Sequence, residues 1–401
     1  MKPTVLIVTT SRWFPTARLA VALANAGCQI EALCPSGHPI SKTSVVQRTF
    51  AYRGLAPLRS LTSAIRSTNP DLLVSGDDLA TSHIHSLHAE ELRAHKSGST
   101  ISELIAQSLG APEYFPAIDD RASFMQIASE AGVRIPQAAI VADSDALQRW
   151  IAQVGFPVVL KANGTSGGVG VRVVHSSDQA LKALRDLKAP PLLMRAVKRA
   201  IFDRDSTLLA PSLRRIPFAV SAQSFIAGQE ATSAIACWKG TVVASLHFVV
   251  LQKTHAAGHA TVLRRIDHPE MAATAETMVR RLQLSGLHGF DFMLDEHSQD
   301  AYLIEINPRA TQIGHLSFGP SHDLPAALVS AISGGTARPA PRVTDHDIVA
   351  LFPQEWLRDP ASPYLRTAYH DVPWDQPDLL RASVRRRRAF GARLWTRLKP
   401  R

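Results

Sequence analysis

The stretch Gly289-Phe290-Asp291-Phe292-Met293-Leu294-Asp295, followed after a short turn by Ala301-Tyr302-Leu303-Ile304-Glu305-Ile306-Asn307-Pro308-Arg309, decides how this chain is read. Apolar residues alternate with others in both segments, which predicts the two strands of a hairpin. Alternation puts Glu305, Asn307 and Arg309 on one face, with Ile304 and Ile306 on the other. With Asp291 on the neighbouring strand, two carboxylates and an amide oxygen can converge on one hard cation. Oxygen ligands of this kind suit Mg²⁺, or Mn²⁺, sharing its shell with phosphates and water. Acidic residues in an apolar strand pair are costly to bury without a cation or a partner. The alternative is a hairpin whose Glu-x-Asn-x-Arg face is merely solvated.

Two upstream segments fit the same chemistry. Phe156-Pro157-Val158-Val159-Leu160-Lys161 predicts a strand ending in a lysine, and Ala162 to Val171 a loop holding Gly164, Gly167, Gly168 and Gly170, followed by another strand. A lysine at a strand end can project its ammonium onto phosphate oxygens, while loop amides close over a polyphosphate. A hairpin with a surface lysine is the competing reading. The segment Ala219 to Glu230 predicts a strand that turns at Gly228 and resumes over Thr232 to Ala236. Backbone groups around Ser224 to Ile226 could read an adenine edge and Glu230 could accept ribose hydroxyls, against the plain alternative of an antiparallel pair with a charged turn.

Nearer the N-terminus, Val5 to Thr10, a helical pattern from Ala17 to Ala26 and the run Ile30 to Cys34 predict a β-α-β opening. A helix over Leu58 to Ser67 and a strand over Asp71 to Ser75 continue it as an open parallel sheet across residues 1 to about 110, its strand ends facing a ligand crevice. The first turn, Thr9 to Pro15, lacks the glycines of a dinucleotide site, so NAD or FAD is not expected there. Helices are predicted from Asp120 to Ala131 and from Asp143 to Val154, and a further helix-like patch from Asp347 to Trp356. Residues 190–215 contain three prolines and predict an insertion or connector.

The 401 residues allow two or three packed units, and nine of the ten net positive charges lie in 381–401. The main fold is therefore nearly neutral, and no nucleic-acid partner is expected. The arginine-rich end predicts a terminal tail, with weak contact to anionic membrane as the other option. No apolar run approaches membrane-spanning length and no signal-peptide pattern opens the chain, so a cytoplasmic location is expected. Cys28, Cys34 and Cys237 have neither zinc nor redox spacing and predict reduced structural thiols. The histidines at 83, 85 and 88, and at 255 and 259, are expected to be surface or crevice residues more than metal ligands. His315 predicts either a substrate contact or a packing role, and Arg264 and Arg265 either a phosphate contact or a solvated face.

In order and spacing, Lys161 with its glycine loop, the Gln223 to Glu230 segment, Asp291 and the Glu305-x-Asn307-Pro308-Arg309 string resemble the ATP-grasp superfamily, and most closely its carboxylate-amine ligases, of the carbamoyl-phosphate synthase large-subunit or D-alanine ligase type. The resemblance covers about residues 112–335. It implies an α/β and α+β architecture: a parallel-sheet pre-ATP-grasp, Rossmann-like domain (1–111), an ATP-grasp clamp of two α+β subdomains (112–335, lid at about 140–225) and a C-terminal extension with a basic tail (336–401). It implies that Lys161, Arg121, Gly167 and Gly168 serve the nucleotide phosphates, that Gln223, Phe225, Ile226 and Glu230 hold the nucleoside, that Asp291, Glu305 and Asn307 bind Mg²⁺, and that Arg309 faces an acylphosphate or the tetrahedral species derived from it.

Two positions depart from the family pattern. Arg121 stands where a lysine is common, and Ala310-Thr311-Gln312-Ile313-Gly314-His315 replaces a small glycine-rich run beside the acceptor pocket. The implied reaction consumes ATP to give ADP and phosphate, activating a small-molecule carboxylate for attack by an amine or similar nucleophile. Phosphotransfer, thiol ligation and a non-catalytic ATP-binding protein localised by its tail are the alternatives.

Overall fold

β1 (Thr4–Val8), β2 (Gln29–Cys34), β3 (Val46–Ala51) and β4 (Leu72–Ser75) form a four-stranded, all-parallel sheet in the order β3-β2-β1-β4. The computed structural model describes residues 2–95, 98–162, 170–189, 219–256, 258–335 and 339–383. Gly167 and Gly168, the 190–215 insertion and the arginine-rich tail lie outside the described residues. Val5, Leu6 and Ile7 are fully buried because helices cover both faces of the sheet, which is why β1 reads as a continuous apolar run. The helix Phe14–Asn25 carries Pro15 in its first turn, where its missing N–H costs nothing.

A second four-stranded sheet is antiparallel, with β5 (Ala138–Val141), β6 (Val158–Ala162), β7 (Val171–Val174) and β8 (Val220–Ser224) in the order β5-β8-β6-β7. Helices Ser144–Val154 and Ser177–Lys188 pack on it, each capped by the residue before it, Asp143 and Ser176.

The third sheet has seven strands: β9 (Gly228–Trp238), β10 (Thr241–Lys253), β11 (Ala260–Ile266), β12 (Gly286–Asp295), β13 (Ala301–Asn307), β14 (Ile348–Leu351) and β15 (Tyr369–Asp371), ordered β13-β12-β9-β10-β11-β14-β15. One face packs on helices Arg121–Glu130 and Pro269–Arg281, and the other shares a core with the first sheet through helices Phe14–Asn25 and Leu324–Ser333.

Three expectations change here. The Asp347 to Trp356 patch is the strand β14 followed by the short helix Gln354–Arg358. Pro353 cannot donate to a helix ladder, and the β-branched pair Ile348 and Val349 finds backbone partners on β11 instead. The turn expected at Gly228 is a crossing between two sheets, since β8 and β9 do not pair with each other. Gly228 is required there because a Cβ would overlap the carbonyl oxygen of Leu294 on β12. The hairpin alternation breaks between Asp291 and Phe292: Asp291 pairs with Glu305 but Phe292 with Leu303, so Ile304 is the extra residue of a β-bulge.

Candidate functional site

A cavity of about 520 Å³ opens between the second sheet and the seven-stranded sheet and reaches the first. Each described residue expected at the nucleotide, the metal or the acylphosphate lines it: Lys161 from β6, Gln223, Phe225, Ile226 and Glu230 along the β8–β9 crossing, Asp291, Glu305 and Asn307 from the hairpin, and Arg121 and Arg309. The bulge turns Ile304 into this cavity beside Met293, so Ile304 does not sit with Ile306 on the opposite face.

At the centre, Asp291 lies directly across the ladder from Glu305, and Gly289 across from Asn307. Asp291 accepts from Thr232 Oγ1 at 2.8 Å and from Asn307 Nδ2 at 2.9 Å. Burial, together with the facing Glu305, pushes the Asp291 carboxyl up to about 6. Two like charges in register call for a cation between them. Glu305 Oε2 takes one from Arg121, whose Nη2 donates at 2.6 Å. The oxygen donors Asp291, Glu305 and Asn307 fit a hard divalent ion better than a soft one. No group of three or more His, Cys, Asp or Glu side chains suited to a metal occurs among the described residues.

Lys161 is 8% exposed, and burial followed by the nearby Arg121 lowers its pKa to about 8. A desolvated ammonium at a strand end is placed to meet an anion. Glu230 accepts from Lys253 Nζ at 2.5 Å, so its charge is already matched. Arg309 donates through Nε to Asp78 Oδ1 at 2.8 Å and through Nη2 to Asn307 Oδ1 at 3.2 Å, and its guanidinium stands 5.1 Å from the ring centroid of Trp13.

Lys253, Thr232, Trp13 and Asp78, to which the sequence assigned no role, also line the cavity, as do His259, expected as a surface or crevice histidine, and Thr311 and Gln312 of the segment expected beside the acceptor pocket. Of the four without an assigned role, Trp13 and Asp78 carried a signal, following β1 and β4 at the strand ends where a parallel sheet presents its crevice. Other candidates fall elsewhere. His85 stacks on Phe115 and bonds Asp119, and His83 stacks on Tyr52. His315 is buried against Asp371, Nε2 to Oδ2 at 2.7 Å, which makes it a packing residue. Arg265 pairs with Asp347 and Phe318 while Arg264 is exposed, and neither lines the cavity. The three cysteines are free and buried, with burial raising Cys28 to about 12 and Cys34 to about 11.

The family described as "Carbamoyl-phosphate synthase L chain, ATP binding domain" matches residues 120–316, the span that carries the second sheet and the hairpin. Residues 120–316 form an ATP-grasp domain. The carbamoyl phosphate synthase large chain of Pseudomonas syringae pv. tomato is 23% identical over 207 residues, covering 50% of this chain and 17% of that one. That of Rubrobacter xylanophilus is 24% identical over 289 residues, covering 69% of this chain and 25% of that one. The chain thus spans a quarter or less of the length of these curated relatives.

Among solved structures, the biotin carboxylase domain of Hydrogenobacter thermophilus 2-oxoglutarate carboxylase, in complex with MgADP, ADP and bicarbonate, superposes with a TM-score of 0.57 at 14% identity, over 85% of this chain and 71% of that one. Staphylococcus aureus N5-carboxyaminoimidazole synthetase complexed with ADP gives 0.57 at 14% identity, over 85% and 80%. These likenesses extend beyond the ATP-grasp domain to the first sheet and establish the shared α/β fold. No helix among the described residues is long and apolar enough to cross a membrane.

Proposed function

We propose that this chain is a Mg²⁺-dependent ligase that uses ATP to activate a carboxylate for attack by an amine. The observation that carries the reading is the assembly of Lys161, Arg121 and the registered Asp291–Glu305 pair around one cavity, from a helix and two different sheets. Asp291, Glu305 and Asn307 would hold Mg²⁺, which supplies neutralisation of phosphate charge as the γ-phosphoryl group moves. Lys161 and Arg121 bind phosphate oxygens, and Arg121 leaves Glu305 as it does so. Gln223, Phe225 and Ile226 hold the adenine end against the apolar wall of Met293 and Ile304, and Glu230 takes the ribose hydroxyls.

In the first step a carboxylate oxygen attacks the γ-phosphorus, the bond to the β-phosphate oxygen breaks, and ADP leaves with that electron pair. In the second, the amine nitrogen forms a C–N bond while the C–O bond to phosphate breaks. Of the two protons that an ammonium gives up, one ends on phosphate and the other goes to water. Arg309 stabilises the negative charge that develops on the carbonyl oxygen. No side-chain nucleophile is required, so positioning and charge dominate the rate. The domain division belongs to the same reading: a pre-ATP-grasp unit over 1–111, the clamp over 112–335 and an extension from 336.

The test is ADP release from pooled carboxylates and amines, followed by mass analysis of the product. ADP, free phosphate and a new amide support the reading. A stable phosphorylated product or a thioester replaces it with phosphotransfer or thiol ligation.

A further inference from the structure

The end of the cavity nearest the first sheet has a polarity of its own. Asp78 opens the helix Asp78–Ala94 next to its cap Asp77, its side chain 47% exposed. Trp13, the residue just before the helix Phe14–Asn25, lines the same end, with the ring of His259 at 6.3 Å. The Oγ1 atom of Thr311 and the Oε1 atom of Gln312 are buried and have no hydrogen-bond partner among the described residues, while Gln312 Nε2 is tied to the carbonyl of Ala260 at 3.1 Å. This wall therefore offers a carboxylate, an amide oxygen, a hydroxyl and a π face, all of which attract positive charge. Burial, then the nearby Arg309, lowers the pKa of His259, so it adds no opposing charge at neutral pH. A cation already occupies the place: the guanidinium of Arg309, bonded to Asp78 and standing over Trp13.

We propose that Asp78 and Trp13 form a cation subsite which Arg309 fills in the substrate-free chain, and that the second substrate is a protonated amine that displaces Arg309 from it. Thr311 and Gln312 supply the remaining acceptors for the ammonium, and Trp13 lies against the carbon skeleton. Once released from Asp78, Arg309 keeps its contact with Asn307 Oδ1 and is free to face the activated carboxylate. This inference rests on the ligase reading for the chemistry after binding, but the subsite itself is a matter of charge and can be measured without turnover.

The experiment is calorimetric titration of the full-length chain, with Mg²⁺ and a non-hydrolysable ATP analogue present and again without them. The probes are phenethylamine and its neutral and anionic counterparts, 2-phenylethanol and 3-phenylpropionate. The amine is expected to bind at least tenfold more tightly than either. Asp78→Asn should bring amine and alcohol to within threefold of each other, and Gln312→Lys, which places a positive charge on the same wall, should do likewise. Arg309→Ala should bind the amine more tightly than the wild type, by threefold or more, because the internal occupant is gone. Equal binding of amine and alcohol, selectivity that survives in folded Asp78→Asn and Gln312→Lys, or weaker amine binding in Arg309→Ala would each overturn the subsite. Failure of the ATP analogue to bind would count against the ligase reading alone, because the nucleotide-free titrations still report the subsite.

Discussion

Lys161 illustrates a residue whose burial costs the fold and which the proposed function turns to use. Its folded pKa of about 8 lies below the ordinary 10.5, so between those values the unfolded chain carries a proton that the folded chain does not. Stability attributable to Lys161 therefore rises as pH increases from about 8 to 10.5, and below pH 8 the full penalty of the buried charge, about 3 kcal/mol, is present. Lys161→Met is expected to unfold at a higher temperature than the wild type at pH 7 without nucleotide, with the gap closing by pH 10. The same variant should lose at least tenfold in ATP affinity. Thermal scans across pH and a nucleotide titration check both halves. Lys161, Asp291, Glu305 and Asn307 were legible in the sequence because charged or amide groups at strand positions are expensive and stand out against apolar neighbours. Lys253 and Thr232 were not, since their relation to the cavity comes from how separate strands meet and leaves no local pattern.

Among the elements, the hairpin β12–β13 is set by more than alternation. Gly289 faces Asn307 across the ladder, and a Cβ there would overlap the methyl group of Thr311. The segment after the hairpin thus folds back over the strand that carries Asp291, which holds Asp291, Asn307 and the Thr311–Gln312 wall together. Gly289→Ala is expected to push Thr311 and Asn307 apart, costing about 1–3 kcal/mol of stability and lowering ATP turnover by at least tenfold, as chemical denaturation and an ADP-release assay would show. The strand periods of this hairpin could be read directly. Its bulge at Ile304 could not, because a bulge is fixed by the twist between two strands and the sequence of one strand does not record it. β14 was misread for a related reason: a four-residue apolar run has no period to distinguish strand from helix until its partner β11 is known.

Across the whole molecule, the first sheet and the seven-stranded sheet are locked together at their centre and at the C-terminal side. The amide of Ala310 donates to the carbonyl of Ser75 at 3.0 Å, bringing the end of β4 to the residue that follows Arg309. Farther out, Asp371 on β15 accepts from Arg18 at 2.5 Å and from His315 at 2.7 Å. Burial raises its pKa, but His315 and Arg18 outweigh that and hold the carboxyl below its ordinary range. Its stabilising effect is therefore present at neutral pH and lost only in acid. Asp371→Asn leaves Arg18 buried without its counter-charge and is expected to destabilise the chain by about 3 kcal/mol, read as a lower thermal midpoint at pH 7. The parallel first sheet and the clamp could be anticipated from order and spacing, whereas this lock joins residues 353 positions apart and has no sequence signature. The function proposed for this chain turns on the registered Asp291–Glu305 pair holding the cation for a nucleotide. The deciding measurement is calorimetric titration of ATP, with and without Mg²⁺, into the wild type and Glu305→Gln. Mg²⁺-dependent binding that Glu305→Gln weakens by at least tenfold is the expected result; equal ATP affinity with and without Mg²⁺, and in both proteins, would contradict it.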